Sequence, residues 1–530
     1  MYGSHRVACF VAFAILIGIP DSPIRAAEAP AADVVLVGGT IFDGSGNDGF
    51  RGDVAIRAGR IVTVGEFTGT AGQRIDCRGL VVCPGCIDLH NHSDRQVIDP
   101  LTRGVVNYLT QGCTTIVTGN CGSGPIKVRD YYEAIDAAGA GTNVAHLLPQ
   151  GDLRDVVIGK ALRKATADEI ARMRQLAEVA MRDGAWGMST GLIYVPSSYA
   201  DSDEIAEIAE VVGEHGGIYA SHIRDEGTGL IGALREAIEI GRRGKTPVHI
   251  SHFKSSGPEA WGLIRQGAAL IEQTRGEGLR VTADQYPYIA SSTSLEAMLI
   301  PTWARAGGND SLKERLSDSE QLAKIREAIA QELQTRGDRA PIRIARYQPH
   351  PEWAGKSLQE IADAEKRDPI DLTIEIARNG GAAAVSFGMS EEDVRFAMQI
   401  PWVATASDGR AMIPDADKPH PRSYGTFSRK IGYYSIAEQV LPLAQAIRSS
   451  TGLPADILGL TDRGYLRPEL AADVLVFDPQ TYRDRATFTD PHQYSAGVRY
   501  VYVNGQPAVF AGTPTGALAG KALRKRPPRD

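Results

Sequence analysis

The chain has 530 residues, too many for one simple domain and enough for a large core with an accessory domain. Its 43% apolar and 23% charged content is that of an ordinary globular protein. A net charge of −7 with no basic run argues against nucleic acid as a partner.

The first stretch is not part of the fold. Met1 to Arg6 is positively charged, residues 7–19 are apolar apart from glycine, and Arg25-Ala26-Ala27-Glu28-Ala29 is rich in small residues. Charged start, apolar middle and small-residue cleavage site predict a signal peptide at 1–26. The apolar run falls well short of the roughly 20 residues that span a bilayer. This predicts no stable membrane anchor and a periplasmic or secreted protein. Cys77, Cys83, Cys86, Cys113 and Cys121 remain after cleavage, and an odd number in an exported chain leaves at least one unpaired or bound to something. Cys83-Pro84-Gly85-Cys86 has redox-pair spacing, but no thioredoxin-like pattern surrounds it.

From Asp33 to Val82, short β-branched runs alternate with glycine turns, the mark of a small antiparallel sheet. The far end has the same texture, with Asn504-Gly505 as a hairpin signal between apolar runs. The two ends, 33–83 plus 465–520, are expected to pair into one β-sandwich. Between them, apolar runs at 87–92, 114–121, 144–150, 186–193, 217–222, 248–252, 281–286 and 402–408 alternate with amphipathic helical patterns. Eight such strands make a (β/α)8 TIM-type barrel over 84–460, with its active site at the strands' C-terminal ends. A ninth run at 382–387 spoils the count, and about 295–381 is too long for one crossover and predicts a helical insertion. The tail 521–530 reads as a solvated basic end.

Pro84-Gly85-Cys86-Ile87-Asp88-Leu89-His90-Asn91-His92 is the pivotal stretch. Alternation along a strand puts His90 and His92 on one face, with Asp88 beside them to back a ligand or sit near a metal. Paired imidazoles suit a zinc-type ion. A lone pair would as readily be two ordinary polar histidines, but other strands end alike. Cys121 closes the second, and Ser221-His222 and Ser251-His252 close the fifth and sixth. Thiolate and imidazole together strengthen a metal reading. His249 falls on the opposite face from His252 and reads as structural. Ser407-Asp408-Gly409 closes the eighth strand, where an aspartate could take a proton from water and return it to a leaving group.

The Pro-Gly-x-Ile-Asp-x-His-x-His opening resembles the amidohydrolase superfamily. Three blocks narrow the likeness to the D-aminoacylase (N-acyl-D-amino-acid deacylase) family: residues 187–194, the stretch Asp284-Gln285-Tyr286-Pro287-Tyr288 with Ser291-Ser292-Thr293, and Pro419-His420-Pro421-Arg422 with Gly425-Thr426-Phe427. The resemblance implies zinc, one or two ions, on His90, His92, Cys121, His222 and His252. It also implies Asp408 as the catalytic aspartate. Lys254, Tyr286 and Arg422 would bind the substrate carboxylate, and Tyr194 and Ser292 would line the site. Phe253 stands where some relatives carry a further histidine. The expected activity is hydrolysis of the amide bond of N-acyl-D-amino acids. A D-amino-acid-containing dipeptidase or another amide hydrolase is the alternative, and a periplasmic binding protein the non-enzymatic one. The substrate would be a small N-acylated amino acid or dipeptide, and the sequence leaves the oligomeric state open.

Overall fold

The computed structural model describes residues 1–3 and 32–526. All but the first three residues of the expected signal peptide lie outside the described residues. Among those described, no helix is long and apolar enough to cross a membrane.

The two chain ends meet in one nine-stranded sheet. Its strands are hydrogen-bonded in one continuous order, with Ala71–Asp76 pairing Ala32–Ile41 off that path. Val81–Pro84 from the front of the chain pairs antiparallel with Val474–Phe477 from the back, Val82 opposite Val476. Alternating apolar residues, among them Leu36, Val54, Ile56, Val82, Val474 and Val476, turn to one shared core. Asn504 and Gly505, both at positive φ (50° and 77°), close the hairpin between Val498–Val503 and Gln506–Phe510.

The barrel strands, numbered one to eight in chain order, are Cys86–Asp88, Cys113–Thr118, Asn143–His146 continued by Leu148–Pro149, Gly187–Gly191, Ile218–His222, Val248–Ile250, Val281–Gln285 and Val403–Thr405. Every neighbouring pair is parallel. The ring closes between strands eight and one. The Asp408 N–H donates to the His90 carbonyl (2.8 Å) and the His92 N–H to the Gly409 carbonyl (2.8 Å). Helices such as Ala167–Arg182, capped by Thr166 and Glu169, and Ser202–Glu214, capped by Asp201, cover the outside.

The insertion between strands seven and eight is not purely helical. It is built on a three-stranded antiparallel sheet of Ser291–Ser294, Ala383–Ser386 and Ile342–Arg346, with the 383–386 strand central. The ninth apolar run therefore belongs here and not to the barrel. Its own core includes Leu295, Ile342, Ile344, Trp353 and Leu372. The tail is also not a free end. Val144 donates to the Lys521 carbonyl and Leu523 to that of Val144 (2.9 and 2.8 Å), while the Trp186 indole donates to the Leu523 carbonyl (2.6 Å). The backbone up to Lys525 thus docks on the start of strands three and four.

Candidate active site

Strand one itself stops at Asp88, and His90 and His92 lie just beyond it. His90 Nε2 sits 3.2 Å from the Cys121 sulfur, His222 Nδ1 3.6 Å and His252 Nε2 3.8 Å. The donor atoms of His90, Cys121 and His252 lie within 4.8 Å of one another, as do those of His90, His92 and Asp408, and of His222, Glu226 and His252. The structure thus brings all five sequence-predicted donors to one place. Sulfur with imidazole nitrogen is a zinc-type donor set. His222 Nε2 and His90 Nδ1 are buried without a hydrogen-bond partner among the described residues. The chemistry of the donor set, a thiol with three imidazole nitrogens within 3.8 Å of its sulfur, fits a metal.

Three of these side chains leave the strands on left-handed backbone: Cys121 (φ 51°), His252 (φ 37°) and Asp408 (φ 51°). Such conformations cost non-glycine residues about 1–3 kcal/mol each and persist where the surroundings hold them. Here that holding is visible. Gly191 packs so closely on the Cys121 loop that a Cβ would lie 2.2 Å from the Cys121 carbonyl oxygen.

A second layer orients the donors. Asp284, at the end of strand seven, accepts from the His252 N–H (2.7 Å), lies 2.9 Å from His249 Nε2 and faces His90 Nδ1 at 3.5 Å. His249 shares Asp284 Oδ2 with His90 instead of turning to the opposite side, and it steadies the carboxylate that steadies two donors. Glu226, which sequence reasoning missed, lies 2.8 Å from His252 Nδ1 and takes the Lys254 ammonium at 2.5 Å. Its position four residues after His222 was the available signal. Asp88 is not itself among the grouped donors but backs one of them, accepting the His90 backbone N–H at 3.3 Å. It receives the Ser407 N–H and the Asn91 amide at 2.8 Å each, and the Ser407 hydroxyl at 2.5 Å. It clasps strand one to strand eight because its short side chain, fully buried, must find donors close by.

Asp408 Oδ1 lies 3.0 Å from His92 Nε2 and 3.4 Å from His90 Nε2, and Arg422 donates to Oδ2 at 2.6 Å. Burial opposes its ionisation, but the charge of Arg422, then of His90, outweighs this and holds the carboxyl well below its ordinary range. His420 fixes Arg422 in turn, accepting the Arg422 N–H at 3.0 Å while its other nitrogen meets the Ala290 carbonyl at 2.8 Å. Arg422 lies over the Tyr286 ring at 4.9 Å, and the Tyr286 hydroxyl is buried without a partner among the described residues. A cavity of about 780 Å³ opens here, lined by His92, Cys121, Tyr194, Ser292, Asp408 and Arg422 among others. Lys254 lies behind this wall, tied to Glu226 and the His252 carbonyl.

Residues 73–509 match the model of the amidohydrolase family. The chain is 36% identical to the D-aminoacylase of Alcaligenes xylosoxydans xylosoxydans, covering 93% of this chain and 98% of that one. The chain belongs to the amidohydrolase family, in its D-aminoacylase branch. The N-acyl-D-glutamate deacylase of the same organism is 34% identical, over 93% of this chain and 96% of that protein. Among solved structures, a D-aminoacylase superposes with a TM-score of 0.81 at 35% identity, covering 93% of this chain and all of the other. The N-acyl-D-glutamate deacylase of Bordetella bronchiseptica, complexed with zinc and a phosphonate inhibitor, gives 0.79 at 32%, over 93% of this chain and 100% of that one. A D-hydantoinase at 14% identity and 0.57 shares the fold of this amidohydrolase.

Proposed function

We propose that this amidohydrolase hydrolyses the amide bond of N-acyl-D-amino acids with zinc, one or two ions, releasing a carboxylate and a free D-amino acid. One observation carries the reading: Cys121, four histidines and a buried aspartate–arginine pair cluster together, with Cys121, His92, Asp408 and Arg422 lining one cavity. Cys121, His222 and His252, with His90 and His92, would hold the metal. Zinc so held would supply Lewis-acid polarisation of the scissile carbonyl and hydroxide near neutral pH. Arg422 offers a planar fork to the α-carboxylate, and the unpartnered Tyr286 hydroxyl is a second donor beside it. Asp408, kept ionised, accepts the proton of the attacking water and returns it to the departing amine.

Asp408→Asn tests the proton role. It preserves shape but cannot take the proton, so turnover should fall about 10²–10⁴-fold while zinc content and fold survive. Near-normal turnover in a zinc-loaded mutant would remove Asp408 from this role. Export is also proposed, on the charged start and apolar middle of 1–26. The mass of the protein from its native compartment should show loss of the leader near Ala26 or Ala29, and an intact Met1 in the cytosol would overturn it.

A further inference from the structure

The same cavity carries two cations that the hydrolytic reading does not use. Arg410 follows Asp408 by two residues, and its backbone is pinned on both sides. Its N–H donates to the Ser423 hydroxyl (3.2 Å), and its carbonyl accepts from the Asn107 amide (3.0 Å). Its guanidinium lines the cavity and makes no hydrogen bond or ion pair among the described residues. Arg346 ends the 342–346 strand of the insertion and lines the same space. Its acidic neighbour, Asp417, is 3.7 Å away, and the Arg346 side chain is 57% exposed. Partial removal from water, then the charges of Arg346 and Arg422, lower the pKa of Arg410, and Asp417 opposes them. Like charges therefore crowd one another on this wall.

The acidic groups lining the cavity do not answer them. Asp408 is paired with Arg422. Asp152 takes the Gly124 N–H at 2.6 Å and the Ser123 hydroxyl at 3.3 Å, three strands round the barrel from Arg410. Burial pushes the Glu296 carboxyl up from its ordinary value, toward the neutral form. Asp417 answers Arg346 in part, at 3.7 Å, which leaves Arg410, exposed and without a side-chain partner among the described residues, free to grip a carboxylate with two parallel hydrogen bonds.

We propose that Arg410 and Arg346 form a subsite for a second carboxylate, so that the preferred substrates are N-acyl-D-amino acids with an acidic side chain. The proposal rests on the deacylase reading above. Its geometry follows from that reading: Arg422 would hold the α-carboxylate, and Arg410 joins it through Ser423, the next residue in the chain. In aspartate or glutamate the side-chain carboxylate lies only a few bonds from the α-carboxylate, so the adjacent cations on the wall are the ones it meets.

Zinc-loaded protein tests this with N-acetyl-D-glutamate, N-acetyl-D-aspartate, N-acetyl-D-methionine and N-succinyl-D-alanine. The expected result is a higher kcat/KM for the two acidic substrates than for the methionine one. Arg410→Met and Arg346→Met should each cut the acidic-to-neutral ratio about tenfold or more, through KM, since a charge-assisted hydrogen bond is worth roughly 1.5–3 kcal/mol. Arg410→Lys should recover part of the ratio, because it keeps the charge but loses the fork. A wild-type preference for the methionine substrate, or a ratio that neither arginine changes, overturns the subsite and leaves the deacylase reading standing. A preference for the succinyl substrate that the two mutants abolish overturns the side-chain assignment, placing the second carboxylate at the acyl end. No hydrolysis of any of the four overturns both readings.

Discussion

Five free cysteines are buried in the described structure, and they do not behave alike. Burial alone pushes the Cys83 thiol up, and it is the main reason that Cys86 and Cys113 rise well above their ordinary value and Cys77 to about 12. Cys121 is as deeply buried, yet the charge of His90 and the hydrogen bonds of His222, His252 and His90 outweigh burial and pull it well below. The difference is placement: four sulfurs face apolar packing, and one faces three imidazoles. A thiol so placed is suited to bind a metal. Cys121→Ala combined with His222→Ala should therefore lose nearly all of the tight zinc by metal analysis. Wild-type stoichiometry in that double mutant would contradict the donor assignment.

The strands act as rulers, and the short turns at their ends aim the chemistry. Cys121 lies three residues past strand two and His252 two past strand six, both on left-handed backbone. Gly191 at the end of strand four leaves the Cys121 loop its room. Gly191→Ala would place a methyl 2.2 Å from a backbone carbonyl, so that loop must shift. We expect zinc affinity, measured by chelator competition, to fall about tenfold or more while the helix signal in circular dichroism is unchanged. Unaltered affinity would show that the loop does not depend on Gly191. The eight barrel runs and their terminal donors were legible because apolar runs and metal-binding side chains are local signals. The clasp of Asp88 on Ser407 was not, since its partners are 319 residues apart in sequence. The same reason hid the insertion's sheet: 383–386 looked like a barrel strand until its antiparallel neighbours were in place. At the tail, Lys521 and Arg524 are solvent-exposed, as their charge suggested, but the backbone between them pairs with Val144, which charge did not reveal.

At the scale of the whole molecule, stability should carry the mark of Lys430. It is 1% exposed and donates to the Met398 carbonyl at 3.2 Å, and burial lowers its pKa from 10.5 to about 7. Between those values the unfolded chain binds the extra proton and the folded chain does not. Stability should therefore rise with pH across that window, and the contribution is lost as pH falls toward 7. Lys430→Met removes the group, and each pKa unit of separation corresponds to about 1.4 kcal/mol. The thermal midpoint of that mutant should be higher than wild type at pH 7, with a flatter rise to pH 9. Equal slopes for the two proteins would mean that Lys430 keeps its proton in the folded state across that window.

In the proposed reaction, donors, proton acceptor and carboxylate fork would converge on a linear amide beside a chiral carbon whose carboxylate Arg422 would hold. Fixing the carboxylate and the scissile carbonyl together leaves the side chain one direction in which to point, so the two enantiomers cannot be treated alike. The most direct measurement is hydrolysis of matched D- and L-N-acetyl amino acids, with the same side chains, by the zinc-loaded protein and by the metal-stripped protein. The account predicts turnover of the D-series that disappears on stripping and returns on adding zinc, with the L-series at least about a hundredfold slower, a difference of roughly 2.7 kcal/mol in transition-state binding. Equal rates for the two series, or D-series turnover that survives removal of the metal, would contradict it.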